Sequence, residues 1–143
     1  MPKFRCTVAI PTRELFHGEI EYAQIPGSEG DLGVMAGHEM FVCTNRPGVL
    51  TLTLDEAGKD KRYFVTYGGF AQVIDNNLSV LARMGKDVND IDVEEITGKA
   101  AKLREAIAQL ESKSDDQSAA LLETHRTKLE WYDLQLKAVG AVK

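Results

Sequence analysis

Between Ile25 and Met40 the chain reads IPGSEGDLGVMAGHEM, which places four glycines, three carboxylates and one histidine within sixteen residues. Glycine-rich segments cradle phosphates when bare backbone amides converge at a helix start, and that requires GxGxxG or GxxxxGK[ST] spacing. Gly27, Gly30, Gly33 and Gly37 are spaced three, three and four apart and match neither. The Gly98-Lys99 pair falls inside a helical pattern, away from any helix start. His38 next to Glu39 suggests an acid-base pair, but neighbours on an extended chain point to opposite faces and share a proton poorly. His125 interrupts an apolar helical seam with no companion ligand four residues away, so a hydrogen bond inside a helix pair is expected there rather than a metal. Cys6 and Cys43 each fall in a strand pattern without CxxC or Cys/His spacing, which reads as packing thiols. No order of Ser, His, Asp or Cys signals a nucleophile, and no catalytic, metal or cofactor residue is assigned.

The elements that position these residues change character at one place. Up to Lys86 the hydrophobic period is near two, in FRCTVAI, EIEYAQI, VLTLTL, RYFVTY, FAQVI and LSVLA, separated by the turn signals RPG, DEAGKD, YGG and DNN. Short strands spaced this way predict a sandwich or flattened barrel. Beyond Lys86 the period becomes helical. Val93, Ile96, Ala100, Leu103, Ile107 and Leu110 form one seam; Leu122, His125, Leu129, Tyr132, Leu136 and Val139 form another. Asp92 with Glu95, and Ser114 with Gln117, have capping-box spacing, which puts a turn at residues 113–116. The expected fold is α+β and mostly β: a β-sandwich over residues 1–86, then an antiparallel α-helical hairpin over residues 87–143. Gly98 costs the first helix about 1 kcal/mol relative to alanine.

Composition removes several function classes. The chain has 143 residues and a formal net charge of −5, with nine basic and ten acidic residues through Lys86 and eight and twelve from Asp87 onward. No basic field exists to hold nucleic acid. No apolar run approaches the roughly 20 residues of a membrane span, and the N-terminus has no secretion-signal pattern, so a soluble cytoplasmic chain without direct membrane insertion is expected.

PGSEGDLGVMAGHEM, RPGVL, FVTYGGFAQV, NLSVLA and a helical segment opening at DIDVEE occur in this order, and together they resemble the epsilon subunit of F-type ATP synthases over the full length. The resemblance implies a non-catalytic rotor subunit without cofactor. It would seat on the gamma subunit at the foot of the central stalk, touch the c ring, and couple proton-driven rotation to ATP synthesis. It implies a peripheral place on the cytoplasmic face of the inner (cell) membrane. Residues 27–38 would form a docking loop facing the ring, with Glu29, Asp31 and His38 as its polar contacts. The hairpin would act as a mild brake on ATP hydrolysis, transiently meeting the alpha/beta head, with Arg126, Lys128 and Lys137 facing an acidic segment of beta.

The sequence also departs from the family. Ala36 stands where proline usually precedes Gly-His, Glu39-Met40-Phe41 replaces Ala-Pro-Leu, Tyr67 replaces a serine before Gly-Gly-Phe, and Arg83 stands where an acidic residue is common. Some bacterial members bind ATP through Ile/Leu-Asp-x-x-Arg-Ala; here Ile91-Asp92 match, but Glu95 and Ile96 take the arginine and alanine places. A carboxylate near a triphosphate is repulsive, so no useful ATP affinity is expected. Two other readings remain open on the residues alone: a soluble two-helix adaptor using Trp131 and Leu134, which lie off the second seam, or a small-molecule enzyme with a pocket of convergent polar groups.

Overall fold

The computed structural model describes residues 2–113 and 115–142. The chain divides into two compact units, Met1–Asp90 and Ile91–Lys143. The division falls four residues beyond the expected Lys86, because a last strand and a short 3-10 turn, Val88–Asp90, extend the first unit.

The first unit has ten strands: β1 (Phe4–Ile10), β2 (Arg13–Ile20), β3 (Tyr22–Gly27), β4 (Gly30–Met35), β5 (Phe41–Thr44), β6 (Gly48–Thr53), β7 (Lys61–Tyr67), β8 (Phe70–Ile74), β9 (Asn77–Leu81) and β10 (Met84–Asp87). They form two five-stranded sheets, ordered β2-β1-β9-β8-β5 and β10-β7-β6-β3-β4. Every pairing between these strands is antiparallel except β1 with β9. Alternate residues fill the space between the sheets. Cys6 and Val8 come from β1, Ala23 and Ile25 from β3, Leu50 and Leu52 from β6, Phe64 from β7, and Leu78 and Val80 from β9. Removing these side chains from water is the main force holding the two sheets face to face. Cys6 and Cys43 are free thiols, and burial pushes the Cys6 thiol up to about 12, which keeps it protonated and inert.

Strand directions sort the connections into two ends. The β1–β2, β3–β4, β5–β6, β7–β8 and β9–β10 turns lie at one end; the β2–β3, β4–β5, β6–β7 and β8–β9 connections lie at the other. The segment expected as a flexible loop is therefore largely strand. Residues 22–35 form a hairpin in which Gly27 pairs with Gly30 around the two-residue turn Ser28-Glu29. The strand signal in GDLGVM rests on Leu32 and Val34 alone, and three of the other four residues are glycine or aspartate, which are poor strand formers.

In the second unit, α1 (Val93–Glu111) and α2 (Asp116–Val142) pack on one another. Asp92 caps α1, its Oδ1 accepting the Glu95 amide at 3.2 Å, while the Glu95 side chain turns instead to Lys99 at 2.8 Å, so half of the expected capping box forms. The expected box at Ser114 lies outside the described residues. Ile96, Ala100 and Ile107 are buried along the predicted α1 seam, and Leu122, His125, Leu129, Tyr132 and Leu136 are half-buried along that of α2. Arg104 with Asp133 at 2.6 Å and Arg126 with Glu111 at 3.3 Å bridge the helices at their exposed edges. The expected hydrogen bond at His125 is not made by Nδ1, which is buried with no partner among the described residues. Trp131 and Leu134 are half-buried rather than free.

Open space surrounds the position a Cβ would take at Gly98. Gly98→Ala is therefore expected to stabilise the helical unit by about 0.5–1 kcal/mol, through reduced backbone entropy in the unfolded chain. Urea denaturation followed by helical circular dichroism measures this, and a lower midpoint would contradict it.

Candidate functional site

Four of the sequence motifs converge at a single end of the sandwich. The Ser28-Glu29 turn, Arg46-Pro47-Gly48, Gly68-Gly69 and Ala82-Arg83 all lie at that end, whereas Gly37-His38 lies at the other. The six residues of β4 separate the two ends by roughly 17 Å at 3.3 Å per residue. One docking loop carrying Glu29, Asp31 and His38 is therefore not what forms. Glu29 and Asp31 stay together at the hairpin tip. His38 is half-buried at the far end, its ring tilted against Phe41 with centroids 4.9 Å apart and its Nδ1 2.9 Å from the Glu39 carbonyl oxygen. The hairpin separates them because strand pairing satisfies the backbone of residues 30–35, which a loop would leave to solvent.

Arg46 organises the tip. Its Nη1 donates to the Gly27 carbonyl at 2.7 Å, its Nη2 forms an ion pair with Asp31 Oδ1, and its own amide donates to the Pro26 carbonyl at 2.9 Å. Gln24 Nε2 donates to the other Asp31 oxygen at 3.1 Å. Nearby, the Ser28 amide donates to the Thr44 carbonyl at 2.9 Å, the Thr44 hydroxyl reaches Ser28 Oγ at 2.9 Å, and the Asn45 amide donates to the Gly69 carbonyl at 3.0 Å. The planar guanidinium fork allows one side chain to hold a carbonyl and a carboxylate at once. Sequence reasoning took RPG as a turn signal and missed this arginine; the only hint was a long, forked donor placed directly before a turn-forming Pro-Gly.

Two glycines of this end are fixed by sterics. A Cβ on Gly27 would lie 2.6 Å from the Gly30 carbonyl oxygen, and one on Gly69 would lie 1.9 Å from the Leu81 carbonyl oxygen at a φ of +88°. Their presence needs no partner molecule. The exposed chemistry at the tip consists of Glu29, which projects into solvent, and Asp31, half-exposed and already paired. A recess of about 580 Å³ lies beside them, between the free edges of β4 and β5.

The outer face of the β2-β1-β9-β8-β5 sheet carries four exposed apolar side chains near its β8 side, beside polar residues such as Gln72 and Ser79. Val42 is 66% exposed, and Phe70, Ile74 and Leu81 are each near 40%. They alternate with buried Ala71, Val73 and Val80, so they point away from the core. On the helical unit, Arg126 is engaged with Glu111, and Lys128 and Lys137 are exposed. Among the described residues, no group of three or more His, Cys, Asp or Glu side chains could hold a metal ion, and no helix is long and apolar enough to cross a membrane.

The Arg46 hydrogen bond, then that from Gln24, hold the Asp31 carboxyl below its usual range, with the Arg46 charge adding to the effect. Since the folded value lies below the unfolded one, the stabilisation is complete above the ordinary carboxylate value and disappears as pH falls through the lowered value. The pair is exposed, so its contribution to global stability is small. At neutral pH, Asp31→Ala is expected to leave the melting temperature nearly unchanged. Arg46→Ala, which also strands the Gly27 carbonyl, should lower it more. Thermal melts of both variants test this ordering, and a large loss with Asp31→Ala would reverse it.

Known proteins resemble this chain throughout. The family described as ATP synthase, Delta/Epsilon chain, beta-sandwich domain matches residues 3–86. An ATP synthase epsilon chain of Bradyrhizobium sp. (strain BTAi1) is 38% identical over 109 residues, covering 73% of this chain and 78% of the relative. One from Maricaulis maris is 36% identical over 121 residues, covering 84% and 89%. A chain in the cryo-EM structure of Euglena gracilis mitochondrial ATP synthase, OSCP/F1/c-ring, superposes with a TM-score of 0.72 at 25% identity, covering 97% of this chain and 83% of that one. A chain in the central stalk/c-ring structure of Tetrahymena thermophila mitochondrial ATP synthase, with a TM-score of 0.56 and 15% identity over 96% and 97% of the two chains, shares the fold.

Proposed function

We propose a function from the premise that this chain belongs to the ATP synthase delta/epsilon chain family. It is an epsilon-type subunit of the central, rotating stalk. In our reading it performs no catalysis. It joins the gamma subunit to the c ring, so that ion-driven rotation reaches the catalytic head, and it sits peripherally at the cytoplasmic face of the membrane.

The observation that carries this reading is the pre-ordered tip. Arg46 holds the β3–β4 hairpin in one shape and leaves Glu29 and half of Asp31 facing outward. A fixed polar tip meets the polar loops of a ring without first losing conformational entropy. We assign the ring contact to Glu29 and Asp31 and place His38, at the opposite end, outside it. The exposed apolar stripe of Val42, Phe70, Ile74 and Leu81 suits a flatter, drier contact, and we assign it to gamma.

The helical unit is a mild brake on hydrolysis. Arg126, Lys128 and Lys137, with Lys143 outside the described residues, face three carboxylates between Gln117 and the C-terminus, so attraction to an acidic segment of beta is modest. Arg126 must also leave Glu111 before it can serve that contact. In the assembled enzyme, truncation after Asp90 is expected to preserve binding to gamma and ATP synthesis while raising ATP hydrolysis by a few-fold at most, with little added effect of salt. Loss of gamma binding, or hydrolysis unchanged at every nucleotide concentration, would make the helices a structural support instead.

A further inference from the structure

The last strand of the sandwich, like β5, is short and held from one side only. β10 has four residues, pairs only with β7 and lies at a sheet edge, and the chain runs on from it through Val88–Asp90 into the helical unit. A force transmitted through the helices would peel such a strand from its neighbour unless something held its end. Asp87, its last residue, pairs in register with Phe64 of β7 and shares that residue's inward direction. Its side chain is only 14% exposed, and Arg62 Nη2 donates to its Oδ2 at 2.7 Å. The other carboxylate oxygen accepts the Asn89 amide at 2.9 Å. The Arg62 guanidinium lies over two rings, its Cζ 5.4 Å from the Phe64 centroid and 5.6 Å from that of Phe16 on β2. The rings pack edge to face at 6.2 Å. Val88, between the two anchored residues, is buried.

We propose that Arg62 and Asp87 form an anchor that fixes the exit of the chain from the sandwich, so that any movement of the helical unit turns about residues 90–92 and leaves β10 in place. A charge-assisted hydrogen bond, two cation–π contacts and an amide cap meet at one carboxylate–guanidinium pair, and all act within three residues of the junction. The guanidinium is held from both sheets, since Phe16 and Phe64 belong to different ones. The anchor does not require that the helices brake hydrolysis; it is a property of the isolated chain.

Hydrogen exchange on the full-length protein tests it. In Asp87→Ala, amides of residues 85–89 should exchange about tenfold faster, while those of β6, β8 and β9 keep their rates. Arg62→Met, which keeps an apolar stem over the rings, should give the same local pattern, and Asp87→Asn, which keeps an acceptor for the Asn89 amide, a smaller one. Unchanged exchange at residues 85–89 in Asp87→Ala and Arg62→Met would overturn the anchor. Equal acceleration across every strand would also overturn it, because the pair would then be a plug in the core rather than a local restraint.

Discussion

The Ser28-Glu29 end of the sandwich is held together by the reach of Arg46. Three chain segments cross there, β3 turning into β4, the end of β5, and the β7–β8 connection, and each brings backbone groups that no sheet ladder satisfies. Arg46 takes two carbonyls, one through its amide and one through its guanidinium, and uses its remaining fork on Asp31. An exposed ion pair adds little to global stability, because solvent screens it and two side chains must be ordered to form it. Its effect is geometric. With Asp31 and Gly27 held, the two-residue turn at Ser28-Glu29 has little freedom, and the glycines on either side can approach without a Cβ between them.

Much of this architecture is legible in the sequence, and the failures have physical causes. The change of period at Lys86 separates sheets from helices because alternation and 3.6-residue repetition bury different faces. The strands rich in β-branched and aromatic residues are evident, while β4 and β10 are not. In GDLGVM and MGKD the inward side chains are few or charged, and pairing with a neighbour, not side-chain preference, makes them strands. The site was half readable. Glu29 and Asp31 draw attention as carboxylates among glycines, but only strand direction shows that His38 belongs elsewhere. Arg46 is invisible from sequence because its partners lie in a different hairpin, 15 and 19 residues away.

The helical unit shows a different balance. α1 buries a regular apolar stripe, but α2 places in its own seam a histidine whose buried Nδ1 has no partner among the described residues, and two exposed ion pairs bridge the helices. The apolar burial of this hairpin is narrow, and Gly98 weakens its first helix further. In the sandwich, by contrast, two sheets share one continuous core.

In the function proposed for this chain, the hairpin tip, and not the His38 end, meets the ring. Site-specific photo-crosslinking in the assembled enzyme tests it most directly, with the reactive group placed at position 29 in one variant and at position 38 in another. Crosslinks to ring subunits are expected from position 29 and none from position 38. Ring crosslinks from position 38, with none from position 29, would contradict it.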